Sequence, residues 1–305
     1  MKSSRNTAIN LTIRRLKMAD KIIIASDSTT DLSAELIEKY DIKILPLGIT
    51  VDNKEYTDGV DINPDMIYEQ YEQTGKLPKT AAINIAQFEE FFAKNTANGE
   101  SIVIFTISAQ MSSTYSNACI AAEDFENVYV VDTENLSTGG GLLVLTAAEL
   151  REKGMSAEEI AEECRKTAKK VDASFVIDSL EFLHKGGRCS ALAALGANLL
   201  QLKPCIMVRG GKMGVGKKYR GKFADVLTKY IADHLGDASD IYQDKIFVTH
   251  AGCDMAIVEA CVNKVKEIAP FENIYITRAG CTVSSHCGKN TLGVLFIRKD
   301  DIKVD

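Results

Sequence analysis

Ser112, Ser113 and Thr114 stand where an apolar, β-rich run, 102–105, gives way to a small-residue helical pattern, 116–124. A strand that ends in hydroxyls just before a helix sets O–H groups and free backbone N–H groups at a positive helix terminus. That arrangement suits an anion. The same residue types also serve as plain helix N-caps, so the spacing alone leaves capping and anion binding both open. A second polar loop, Ser26-Asp27-Ser28-Thr29-Thr30-Asp31, follows the apolar run 21–25. A third group surrounds His286 in Thr282-Val-Ser-Ser-His-Cys-Gly288, read as a turn of small polar residues between two strands. An imidazole there can donate a hydrogen bond to an anion.

The groups needed for transfer chemistry are missing. Asp27 and Asp132 end two expected strands and could share Mg²⁺ in a phosphotransferase, but the D-x-D-x-T pattern is absent because position 29 is Thr. No G-x-S-x-G elbow surrounds Ser112, and neither a dinucleotide fingerprint nor a P-loop occurs. The run Thr138 to Gly141 matches neither. His184 and His234 fall on helical patterns and read as surface or boundary residues, and His250 ends a strand. From Lys203 to Lys222 there are seven basic residues and no acid, either a solvated hairpin face or a docking surface for an acidic partner or a phosphate.

Composition narrows the class. The chain has 305 residues, 46% apolar and 26% charged, as in soluble globular proteins, and is long enough for two domains. A net charge of −6 gives no global reason to expect nucleic acid or an anionic membrane as partner. No apolar run reaches the ~18 residues of a membrane span. The eight cysteines are scattered without a C-x-x-C pair, so structural zinc is not expected and free thiols in the cytoplasm are. Lys2, Arg5, Arg14, Arg15 and Lys17 precede the first acid, Asp20, with no apolar segment of the secretory kind. Residues 1–20 are therefore expected to be a disordered extension, of which 1–17 could be a misassigned start.

These residues must be positioned by a β/α chain. The segments 21–25, 32–40 and 42–51 read as β, α and β, which favours a parallel sheet. Asn63-Pro64 caps a helix over 65–73 that Gly75 ends, and 77–80 is an extended link. Asn84 with Gln87, and Ser156 with Glu159, are capping boxes for helices to about 94 and 170. Strands over 102–105 and 128–131 and a helix over 142–149 complete a doubly wound N-terminal α/β domain, 21–172. Its Ser/Thr loops lie at the carboxyl ends of the strands, where such sheets bind ligands. The remainder, 173–305, mixes a hairpin (205–208 with 215–219) with single strands and with helices over 178–185, 190–201, 223–235 and 255–268. It reads as a C-terminal α+β domain with a more antiparallel sheet.

Taken together, SDSTTDL (26–32), Thr80 after Leu-Pro-Lys, SSTYSNA (112–118), SLEFLHKGGR (179–188) and SHCGKNTLGV (285–294) resemble the DegV family of fatty-acid-binding proteins, from about Lys21 onward. The resemblance implies a fatty acid whose chain lies in an apolar tunnel between two domains. Its carboxylate would meet Thr80, Ser112 and His286. Ser113, Thr114, Asn84, Ser26 and Asp27, at turns of the same kind, complete the candidate ligand-binding set. The resemblance further implies a carrier without catalysis or cofactor, which presents the acid to a separate, ATP-using fatty acid kinase that supplies phospholipid synthesis. Arg188 and Arg220 would then contact the partner, and membrane contact would be at most transient. The anchors stand among altered neighbours: Ala81-Ala82-Ile83 follow Thr80, Ser113 replaces the usual glycine, and Lys289-Asn290 replace Pro-Gly. These changes leave a different small carboxylate or lipid as an alternative ligand.

The physics of such a site is simple. A buried carboxylate needs several hydrogen bonds at once. Each buried methylene adds roughly 0.8 kcal/mol, so a long chain binds without any catalytic group. The Ala/Gly/Leu stretch 190–201 is a candidate tunnel wall.

Overall fold

The computed structural model describes residues 21–190 and 202–303. The expected extension 1–20 and nearly all of the expected helix 190–201 lie outside the described residues.

Four strands form a wholly parallel sheet in the order β2-β1-β6-β7: β1 (Ile22–Asp27), β2 (Ile42–Leu45), β6 (Ser101–Thr106) and β7 (Val128–Asp132). Burial on both faces explains why β6 reads as an unbroken apolar run. Between these strands lie β3 (Gly48–Val51), β4 (Lys54–Thr57) and β5 (Lys79–Ala81), which make a separate antiparallel sheet in the order β4-β3-β5. The segment 42–51 is thus two strands broken at Pro46-Leu47, not one. Thr80, expected in an extended link, is held in β5 opposite Ile49.

The second domain is a six-stranded sheet in the order β10-β9-β8-β13-β11-β12. It comprises β8 (Val171–Ile177), β9 (Lys203–Arg209), β10 (Lys212–Tyr219), β11 (Lys245–Ala251), β12 (Asn273–Arg278) and β13 (Thr291–Ile297). Only the β11–β12 pair is parallel. The hairpin β9–β10 turns at Gly210-Gly211, both with positive φ.

Local signals account for most helices. In α1 (Ala34–Lys39) Ser33 caps Leu36 N–H. Asn63 caps α2 (Pro64–Thr74), and left-handed Gly75 ends it. Capping boxes open α3 (Ile85–Thr96) and α6 (Ala157–Ala168). Between them lie α4 (Thr114–Ala122) and α5 (Thr138–Glu152), and after them α7 (Glu181–Gly186) and α8 (Phe223–Leu235). Last come α9 (Met255–Ile268) and α10 (Cys281–Cys287).

Helix α5 is sandwiched between the two sheets, with Leu142, Leu143, Val144 and Leu145 all inaccessible to water. Its glycine run serves packing. A Cβ on Gly139 would lie 2.2 Å from Asn135 Oδ1, and one on Gly141 2.9 Å from Thr30 O. One continuous core therefore joins Val103 and Phe105 of the first sheet to Phe175, Ile206 and Leu295 of the second. No described helix is long and apolar enough to cross a membrane.

Candidate functional site

Helix α10 crosses from the second domain to the first. His286 stands in its last turn, on a helix rather than in the expected turn of polar residues. The hydroxyls of that helix do not disrupt it because Ser284 and Ser285 donate back to Ala279 O and Cys281 O. Across the seam, Thr80 Oγ1 lies 3.0 Å from His286 Nε2. Nδ1 of the same ring is buried with no hydrogen-bond partner. It faces Gly186, where a Cβ would come within 2.6 Å. Burial first, and the nearby Arg188 charge second, push the imidazole down to about 4, so it is neutral near pH 7.

Thr80 and His286 stand at a cavity of about 250 Å³ whose wall also includes Ser112, Ser113, Arg188 and Thr282. Ser112 Oγ accepts from Thr114 N–H (3.2 Å) and lies 2.9 Å from Thr114 Oγ1. It closes a local turn just ahead of α4, whose N-cap position is Ser113, and still faces the cavity. Ser113 makes no side-chain capping bond. The rest of the wall is apolar and adaptable: Leu47, Ile107, Met111, Leu136, Met213 and Val283. A second, smaller slot of about 30 Å³ shares Leu136, Val283 and Cys287 with this wall and lies among the Leu136-Ser137 turn, α10 and the second sheet, lined by Phe175, Val208 and Leu295 among others. Burial pushes the Cys287 thiol up to about 12, so it is an uncharged part of this wall. A separate open groove of about 460 Å³ borders Thr80 and His286 on the outside and carries Lys79, Lys185 and Arg188.

The other candidate residues are placed differently. Thr114 is buried behind Ser112. Asn84 is spent on the capping box of α3 and does not line the cavity. Ser26 bonds Asp27 O and Thr30 Oγ1. Asp27 accepts from Thr29 N–H, Thr29 Oγ1 and Ile107 N–H, which ties the ends of β1 and β6 together. Burial pushes its carboxyl up to about 6. Asp132 likewise accepts from the N–H groups of Ala109 and Glu134. Both carboxylates act as loop brackets, and among the described residues no group of three or more His, Cys, Asp and Glu side chains is placed to hold a metal ion. Arg220 is exposed just after β10 and does not line the cavity. The basic run is partly neutralised by acids distant in sequence: Lys203 pairs with Asp178, Arg209 with Asp172 and Lys217 with Asp233.

Two residues that hold α10 against the first domain escaped the sequence reading. Asp31 and Asp58, buried acids of the first domain, meet the start of α10. Asp31 lies within the SDSTTDL stretch, and Asp58 carries no local signal beyond preceding a glycine.

A family model described as "Uncharacterised protein, DegV family" matches residues 21–299. The chain belongs to the DegV family. A DegV domain-containing protein of Clostridium acetobutylicum is 36% identical over 283 residues, covering 92% of this chain and 99% of its own. Among solved structures, a DegV family protein from Thermus thermophilus, described by its fatty acid binding, superposes with a TM-score of 0.85 at 26% identity. That match covers 91% of this chain and 99% of the other. A stearic acid-binding protein from Eubacterium ventriosum gives a TM-score of 0.77 at 27% identity, covering 90% and 98%.

Proposed function

We propose that this DegV protein binds a long-chain fatty acid, with the tail in the cavity and slot between its domains and the carboxylate at Thr80, Ser112 and His286. The observation that carries the reading is a polar cluster with unspent hydrogen-bonding capacity at one end of an otherwise apolar cavity. A hydroxyl pair and a neutral imidazole suit a carboxylate head group, while Leu136, Phe175 and Leu295 suit methylenes. The fatty-acid-binding structures it resembles support the same ligand class.

The reading extends to a carrier, not an enzyme, that presents the acid to a separate fatty acid kinase in the cytoplasm, upstream of phospholipid synthesis. The basic groove beside Thr80 and His286 supports it, because a partner with acidic or phosphate groups could approach the head group there through Arg188. Arg220, exposed after β10, is the second partner contact of this reading. The cavity lies between the two domains; the expected division at 21–172 and 173–305 would cut β8, so we place it two residues earlier, before Val171. A different small carboxylate or lipid remains the second reading, since the anchors stand among unusual neighbours.

The test is solvent extraction of the purified protein followed by mass spectrometry. One long-chain fatty acid per chain is expected. A protein that carries none, and takes up none when it is added, contradicts the proposal.

A further inference from the structure

The Thr80–His286 contact joins residues 206 positions apart and exists only while α10 is docked on the first domain. The dock is made by two buried acids. Asp58 accepts four hydrogen bonds: from Cys281 N–H (2.9 Å), Thr282 N–H (3.2 Å), Thr282 Oγ1 (2.6 Å) and Ser28 Oγ (2.9 Å). Asp31 accepts from Gly280 N–H (2.8 Å) and from the Ser137 hydroxyl. Cys281 Sγ lies 3.4 Å from Ile62 O, so the loop that bears Asp58 cradles the same turn. Thr282 and His286 are four residues apart, share one face of α10 and both line the cavity. Asp58 itself does not reach the cavity wall.

We infer that Asp58 is a positioning residue for the head-group site: by holding the first turn of α10 it sets the approach of His286 to Thr80. The inference rests on the fatty-acid reading above. A short helix fixed at one end by a four-donor carboxylate has little freedom at its other end, one turn away. Loosening that end lets the imidazole drift from the distance a carboxylate needs, while the apolar slot beyond Val283 keeps its shape.

The experiment measures the affinities of palmitate and of hexadecanol for the wild type, Asp58→Asn, His286→Ala and the double variant. Palmitate affinity should fall about tenfold in Asp58→Asn, while hexadecanol affinity stays within about twofold. In the His286→Ala background Asp58→Asn should add little, because it acts through the imidazole. Equal losses for both ligands, or a loss that adds in full to His286→Ala, would overturn the inference. Ser28→Ala removes one donor from the carboxylate and should show the same pattern, more weakly, should Asp58→Asn fail to fold. A wild type that binds neither ligand defeats the fatty-acid reading itself. A wild type that binds palmitate no better than Asp58→Asn does defeats the positioning role alone.

Discussion

His286 and His234 are both largely shielded from water, and the groups around them differ in kind. His234 Nε2 lies 3.3 Å from Asp172, a fully buried carboxylate that also meets Arg209 (3.0 Å) and Arg298 (2.6 Å). Burial alone would raise the Asp172 carboxyl, but contact with His234 and the charges of His234, Arg209 and Arg298 outweigh it and hold the group well below the usual carboxylate range. This cluster ties β8, β9, α8 and the end of β13 into one unit. His286 itself forms no ion pair among the described residues: one threonine hydroxyl is in reach of Nε2, and its unbonded Nδ1, unlike the equally unbonded Nε2 of His234, has no carboxylate beside it. A polar cluster whose charges are met within the protein is a brace. One that is left short, beside an apolar cavity, is what the proposed head-group site requires.

Removing the brace should have the largest effect. Asp172→Ala leaves the Arg209 guanidinium without a carboxylate and Arg298 with Asp240 alone, and should destabilise the protein by about 3–5 kcal/mol. Urea unfolding measures that loss, and the molecules that remain folded should bind palmitate as before. His286→Ala should do the reverse, weakening palmitate binding by about 1–3 kcal/mol with little change in the urea midpoint. If the two variants exchanged phenotypes, the distinction between brace and receptor would collapse.

The acid that shares the α10 dock with Asp58 supplies a pH signature. Burial pushes Asp31 up to about 8, against the Ser137 and Gly280 hydrogen bonds that favour its charged form. The folded state therefore holds a proton that the unfolded chain releases near 3.8, and the stability tied to that proton is lost as pH rises toward 8. His286 has the opposite sign: lowered from 6.5 to about 4, it costs stability as pH falls through that interval. Between pH 6.5 and 8 Asp31 dominates, with a slope of at most ~1.4 kcal/mol per pH unit. Asp31→Asn should flatten the dependence of the urea midpoint in that window, and an unchanged slope would remove Asp31 from the account. The smallest effect is expected at Gly186→Ala, where the new methyl meets His286 Nδ1. Moving the ring should cost palmitate binding about 1 kcal/mol, read by calorimetric titration.

Much of the fold is legible in local chemistry. Asn63-Pro64, Asn84 with Gln87, and Ser156 with Glu159 mark helix starts that the structure keeps. Met255–Ile268 and Phe223–Leu235 follow directly from their periodicity. The small sheet β4-β3-β5 does not, because its strands are short and half-exposed, and β5 reaches β3 only across α2, with Thr80 set opposite Ile49, 31 residues earlier. His286 reads as a turn residue because Thr282, Ser284 and Ser285 are poor helix formers; in the structure Asp58 and Asp31 accept from the N–H groups at the start of that stretch, partners no local pattern reveals. The grouping of Thr80, Ser112 and His286 came from family resemblance, since no spacing rule brings three such distant residues together. The basic run looked uncompensated for the same reason: Asp172, Asp178 and Asp233 reach it only through the fold.

The most direct test is a spectrum of palmitate labelled with ¹³C at its carboxyl carbon, bound to the wild type and to His286→Ala. One bound carboxyl resonance per chain, distinct from free palmitate and displaced in the variant, is the predicted result. No bound resonance in the wild type, or the same resonance in both proteins, would place the head group elsewhere and contradict the account.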